Sequence, residues 1–176
     1  NAVPDADTLF RIASMTKSFT ATTILLLRDE GRMHLDDDVA DHVPELAQLR
    51  LPTADAARPT VRDLLTMAAG WPTDDPWGDR PEETFAEMLR GGLGYAWAPG
   101  TAFEYSNLGY AVLGRVVAAA AGQPYAEVVT HRLLEPLGLS ATGFAPETTP
   151  PQSRATGYRR TGEDWERVPS VGYGAF

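Results

Sequence analysis

Residues 10–17 read Phe-Arg-Ile-Ala-Ser-Met-Thr-Lys, and the pattern becomes helical from Ser14 onwards. Apolar side chains recur at helical spacing between Phe19 and Leu27, which gives the segment one apolar stripe. Gly31 follows the last turn, at the position where a terminating glycine is expected. The stretch therefore predicts a helix that begins at Ser14, ends just before Gly31 and packs one face against the rest of the chain.

Ser14 and Lys17 stand three residues apart at the predicted start of this helix. Side chains at this spacing share a helix face, with Cβ atoms about 5–6 Å apart. A serine hydroxyl is a poor nucleophile until a neighbouring base takes its proton. The helix N-terminus disfavours a protonated amine, and its free N–H groups can stabilise an oxyanion. The pair therefore predicts acyl transfer, with Ser14 as the nucleophile and Lys17 as its proton partner.

The residue counts argue against a chance match. Lys17 is the single lysine among 15 basic residues, and it falls three positions after one of six serines. Placement alone would produce this in roughly 3% of arrangements. In Tyr105-Ser106-Asn107, the one asparagine besides Asn1 follows one of six tyrosines by two positions, at similar odds of about 3%. We therefore interpret both motifs as parts of a catalytic site and not as chance matches.

The rest of the sequence predicts a mainly helical domain with a few short strands. Further helices are indicated by apolar periodicity, N-caps and terminating glycines at residues 60–67, 81–90, 107–121 and 125–134. A short strand is predicted at residues 8–12, and residues 154–160 and 165–168 are expected to pair as a hairpin. This is too little strand for a central sheet of its own.

Composition excludes several functional classes. A net charge of −9 argues against nucleic acid as a partner, because phosphate binding needs a basic face. Cysteine is absent, so there is no disulfide framework or thiolate metal site. No apolar run approaches the roughly 20 residues that span a bilayer. The acidic and histidine residues of 34–42 could suggest a metal site, but charge runs of this kind are usually solvated, and we expect no metal.

These motifs resemble those of the serine β-lactamase and penicillin-binding-protein superfamily, specifically its class C-like branch. That branch includes class C β-lactamases, D-alanyl-D-alanine carboxypeptidases, D-aminopeptidases and family VIII-type esterases. The resemblance covers nearly the whole chain and includes the nucleophile motif, the segment after its helix, the Leu-Leu-Thr…Gly loop, the Tyr-x-Asn motif and a Pro-Leu-Gly-Leu stretch. They lie at residues 10–17, 31–39, 60–72, 99–110 and 136–139.

The resemblance implies a fold and a set of roles. The chain would be the helical, nucleophile-bearing portion of one α+β β-lactamase-like domain over residues 1–176, truncated at both ends, with the central sheet largely missing. Ser14, Lys17 and Tyr105 would be catalytic, and Asn107 would bind the substrate and Lys17. The substrate would be a small ester, a D-amino-acid peptide or a β-lactam, and no cofactor is implied. The remainder of the domain would be the partner of this chain.

The family has a third motif, Lys-Thr-Gly or His-x-Gly on a strand, and one tripeptide of this chain is similar to it. Arg160-Thr161-Gly162 lies 53 residues after Asn107, whereas the family motif comes much later in the chain. We interpret it as a hairpin turn, because Thr-Gly followed by acidic residues is ordinary turn composition. Without that motif, a non-catalytic penicillin-binding-like receptor or a helical binding module remains the alternative to a hydrolase.

Overall fold

The protein is described here by a computed structural model over residues 3–73, 94–144 and 154–167. Its α-helices are α1 (Thr16–Asp29), α2 (Val39–His42), α3 (Val61–Leu65), α4 (Asn107–Ala121) and α5 (Tyr125–Val129). Short 3₁₀ segments lie at Ala13–Met15 and Pro44–Gln48, and a π-helical turn at Thr130–Leu134 continues α5. Strands β1 (Tyr158–Thr161) and β2 (Asp164–Arg167) form an antiparallel pair. The expected mainly helical fold is confirmed, while the helix predicted at residues 81–90 lies outside the described residues.

Helix α4 is the centre of the core. Residues 106–114 are all buried, and the helix packs against α1, α2, α3 and α5. Its sequence is apolar on nearly every face, which is the pattern of a helix surrounded by protein. Gly122 ends the helix at φ +68°, in the left-handed conformation that glycine adopts without strain, as the sequence predicts. On α1, Ile24 and Leu27 are fully buried members of the same core.

Helix α3 begins with the predicted capping box. The Thr60 hydroxyl accepts the Asp63 N–H at 3.2 Å, and the Asp63 carboxylate accepts the Thr60 N–H at 2.8 Å. The helix ends at Leu65 rather than at the expected Met67, because Met67 has φ +58°, which a right-handed helix cannot accommodate.

The segment after α3 guides the chain towards Tyr105. The Gly70 carbonyl accepts the Ala96 and Trp97 N–H groups, and the Met67 carbonyl accepts the Glu104 N–H at 2.8 Å. The approach is close enough to require glycine, since a Cβ on Gly70 would lie 2.1 Å from the Trp97 carbonyl oxygen. These bonds therefore fix where the segment before α4 runs.

Two of the strand predictions differ from the structure, one in the existence of the strand and the other in where it begins. Residues 8–12 form no strand, because Leu9 makes only an isolated parallel bridge with Arg154 and a strand needs a ladder of such pairs. The hairpin is confirmed, although β1 begins at Tyr158 rather than at residue 154. Gly162 takes φ +64° in its turn, so Arg160-Thr161-Gly162 lies at the end of an exposed hairpin, as interpreted from the sequence.

Three of the four acidic residues of 34–42 interact with arginine or histidine side chains. Asp36 accepts from Arg62, Asp38 from Arg58, and Asp37 interacts with His42 at 3.1 Å. Within the described ranges, no three acidic or histidine groups are arranged to hold a metal ion. The same part of the chain contains no helix both long and apolar enough to cross a membrane.

Candidate active site

Ser14 lies in the tight turn that leads into α1. Ala13, directly before it, has φ +46°, which is uncommon for a residue with a Cβ. The 3₁₀ segment Ala13–Met15 then passes into α1, whose first residue is Thr16. The structure therefore places Ser14 two residues before the first residue of α1, exposed at the N-terminal end of the helix.

Lys17 is buried, with 7% of its surface exposed, yet its amine reaches the serine. Its Nζ lies 3.1 Å from the Ser14 Oγ and 2.6 Å from the Asn107 Oδ1, to which it donates. The spacing of three residues brings Lys17 under Ser14 as the sequence predicts. A buried amine that is hydrogen-bonded to a serine and to an amide oxygen is an arrangement suited to proton transfer.

Tyr105 approaches Ser14 from the other side of the chain. Its hydroxyl lies 2.7 Å from the Ser14 Oγ, although the two residues are 91 positions apart in sequence. Tyr105 is 38% exposed, so it stands at the edge of the core rather than inside it. The hydrogen bond of the neighbouring Glu104 N–H to Met67 anchors the extended backbone that carries it.

Asn107 owes its position to the start of α4. Ser106 is the N-cap, and its hydroxyl accepts the Gly109 N–H at 3.0 Å. Tyr105 and Asn107 therefore lie on either side of the cap, one at the end of the extended segment and the other in the first helical turn. Three hydrogen bonds, Ser14 with Tyr105, Lys17 with Ser14 and Lys17 with Asn107, bring together all four residues expected from the sequence.

Tyr110 was missed by the sequence reasoning. Its ring centroid lies 5.6 Å from the Lys17 Nζ, and the ring of Tyr105 lies 5.1 Å from the same atom. Burial, and then the nearby Tyr105, raise the pKa of Tyr110 above its usual value, so its phenol stays neutral. The available signal was its spacing of three residues after Asn107, which puts both on one face of α4.

The Beta-lactamase family model matches residues 3–175. The chain belongs to the β-lactamase family, whose members are serine hydrolases. The family that the motifs resemble is thereby confirmed.

Individual relatives and solved structures are similar over most of this chain. Protein flp of Staphylococcus aureus (strain MRSA252) is 32% identical over 160 residues, covering 88% of this chain and 32% of that protein. D-alanyl-D-alanine-carboxypeptidase/endopeptidase AmpH of Escherichia coli (strain K12) is 30% identical over 164 residues, covering 88% and 41% respectively. The octameric penicillin-binding protein homologue from Pyrococcus abyssi has a TM-score of 0.75 at 31% identity, covering 95% of this chain and 40% of that one. The chain thus spans 32–41% of the length of these proteins.

Proposed function

We propose that this chain carries the nucleophile side of a serine hydrolase site that works through an acyl-serine intermediate. The observation that carries the proposal is the position of the Ser14 Oγ, 3.1 Å from the Lys17 Nζ and 2.7 Å from the Tyr105 hydroxyl. A serine hydroxyl with two proton-transfer groups in reach meets the geometric requirement for an activated nucleophile.

In the acylation step, the Ser14 Oγ attacks the carbonyl carbon of the substrate. Its proton passes to the Lys17 amine, directly or by way of Tyr105, so that an ammonium group forms there and the carbonyl oxygen becomes an oxyanion. The N–H groups at the start of α1 lack intrahelical acceptors and can stabilise that charge. Collapse of the intermediate breaks the bond to the leaving group, which takes the proton from the Lys17–Tyr105 pair.

In the deacylation step, water attacks the acyl-serine ester, and the same pair accepts and returns its proton. Ser14 leaves as the hydroxyl and the acid product is released. Asn107 supports both steps in this proposal, because its Oδ1 accepts a hydrogen bond from the Lys17 amine and its NH₂ group is a donor of the kind that binds a substrate acyl oxygen. No cofactor or metal takes part in this scheme.

We propose that the substrates are small esters or D-amino-acid peptides in preference to β-lactams. The relative AmpH is a D-alanyl-D-alanine carboxypeptidase and endopeptidase, which supports the peptide class. The penicillin-binding protein homologue supports recognition of a β-lactam as an acylating analogue. All three substrates present a carbonyl with a displaceable group, which is the common requirement of the chemistry.

The test is turnover of a p-nitrophenyl ester, a D-alanyl-D-alanine peptide and a chromogenic β-lactam by the wild-type protein and two serine variants. Ser14→Ala should abolish hydrolysis, whereas Ser18→Ala, at an exposed position in the first turn of α1, should retain it. Loss of activity in both variants, or retention in both, would refute Ser14 as the nucleophile.

The lifetime of the adduct separates an enzyme from the alternative receptor. An acyl-enzyme that turns over repeatedly supports the hydrolase. An adduct on Ser14 that persists for hours supports a penicillin-binding-like receptor and would contradict the deacylation step proposed above.

A further inference from the structure

Two aromatic rings lie over the Lys17 amine. Both ring centroids, 5.1 Å away for Tyr105 and 5.6 Å for Tyr110, are within the roughly 6 Å at which a ring face attracts an ammonium group. The Tyr105 hydroxyl also contacts the site, because it is hydrogen-bonded to Ser14. The Tyr110 hydroxyl points elsewhere, so the two tyrosines differ in what they can offer the site.

The Tyr110 hydroxyl is occupied by a structural bond. It donates to the Leu65 carbonyl at 3.1 Å, at the last residue of α3, and the side chain is 6% exposed. Helix C-terminal carbonyls lack intrahelical donors, so this bond satisfies one of them. Tyr110 therefore cannot serve as a base for Ser14, and its contribution to Lys17 is the face of its ring.

The first turn of α4 offers Lys17 two different contacts. Asn107 and Tyr110, three residues apart, share a helix face, so the amide oxygen accepts from Nζ at 2.6 Å while the ring lies beside the same atom. A lysine has a long flexible stem, and a hydrogen bond alone leaves that stem several rotamers. A ring on a second side restricts the amine to the position that reaches Ser14.

We propose that Tyr110 is a positioning residue whose ring face holds the Lys17 amine at Ser14. The proposal rests on the proposed function, because it concerns the amine that would take the Ser14 proton. It also makes a claim that does not depend on activity, namely that the ring of Tyr110 restrains the Lys17 side chain in the resting protein.

The first experiment compares Tyr110→Phe with Tyr110→Leu by the rate of acylation with a fluorophosphonate. Tyr110→Phe loses the bond to Leu65 but keeps the ring, and should acylate within about threefold of wild type. Tyr110→Leu loses the ring and should acylate about tenfold more slowly or worse, the scale of a desolvated ring–cation contact. If the hydroxyl bond to α3 were what mattered, Tyr110→Phe would be as slow as Tyr110→Leu, and the proposal would be wrong.

A ring with a changed charge distribution but a similar shape distinguishes the electrostatic attraction between the ring and Lys17 from simple packing. Replacing Tyr110 by 3,5-difluorophenylalanine weakens the negative face of the ring while nearly keeping the shape of phenylalanine. Acylation should be slower than in Tyr110→Phe at equal thermal stability, because the weaker ring face attracts less strongly the ammonium group that forms as Lys17 takes the Ser14 proton. Equal rates for the two rings would overturn the proposal.

The single lysine allows a readout without any reaction. Lysine labelled with ¹³C and ¹⁵N gives signals from Lys17 alone, since the chain has no other lysine. The Lys17 side-chain protons should be displaced upfield by the rings, and the displacement should shrink in Tyr110→Leu but not in Tyr110→Phe. Unchanged signals in Tyr110→Leu would refute the ring contact. Failure of wild-type acylation together with the expected signals would instead refute the proposed function and leave the contact established.

Discussion

The cluster around Ser14 and the hairpin of β1 and β2 hold their residues in different ways. The cluster joins segments far apart in sequence: Ser14 meets Tyr105 across 91 positions, and Lys17 meets Asn107 across 90. The hairpin is local, with Arg159 pairing Glu166 seven positions away and all eight strand residues exposed. Both regions carry a short sequence match to a family motif, but one match lies where two distant stretches of the chain meet and the other on a surface strand. A short motif is therefore stronger evidence of a functional site when long-range contacts surround it.

The largest expected contrast between the two regions is in stability. Leu113 of α4 is fully buried, so Leu113→Ala should lower the free energy of unfolding by about 2–5 kcal/mol through lost burial and a cavity. Trp165 of β2 is 67% exposed, and Trp165→Ala should change it by no more than about 0.5 kcal/mol. Denaturant melts of both variants measure this. Comparable losses would show that the hairpin is part of the core.

The next contrast concerns the lysine. Lys17→Arg keeps the positive charge but cannot give up its proton, so acylation should slow by at least about 100-fold. Arg28→Lys, which replaces a partly exposed cation at the end of the same helix, is the matched control and should acylate like wild type. Rates come from time courses of fluorophosphonate labelling. Near-normal acylation in Lys17→Arg would show that Lys17 acts only through its charge and not as a base.

A smaller effect is expected for the tyrosine hydroxyl. Tyr105→Phe removes the group 2.7 Å from Ser14 but keeps the ring over Lys17, so acylation should fall by roughly 10- to 100-fold. Tyr158→Phe in the hairpin should have no effect, because Tyr158 is 52% exposed on a strand remote in sequence from the motif. If the two variants acylate alike, Tyr105 has no part in proton transfer.

Local features were predictable from the sequence because their causes are local. The capping box of Thr60 and Asp63, the glycine that ends α4 at Gly122 and the turn at Gly162 each depend on a few adjacent residues. The spacing of Ser14 and Lys17 likewise fixes their common face once a helix is assumed. The expected meeting of this pair with Tyr105 and Asn107 came from the family resemblance and not from any local rule.

The remaining features depend on how distant segments pack. Residues 8–12 have the composition of a strand, but a strand requires a neighbour, and the single bridge from Leu9 to Arg154 does not supply one. The ring of Tyr110 reaches Lys17 only because α1 lies against α4, and helix periodicity does not specify that contact. Apolar residues on all faces of α4 left its orientation open.

Identification of the acylated residue tests the central claim most directly. After reaction with a fluorophosphonate, trypsin cleaves following Arg11 and Lys17 and releases residues 12–17, in which Ser14 is the single serine. Mass spectrometry should find the adduct on this peptide at Ser14, and it should be missing from Ser14→Ala. An adduct on any other residue, such as Ser18 in the following peptide, would contradict the account of Ser14 as the nucleophile.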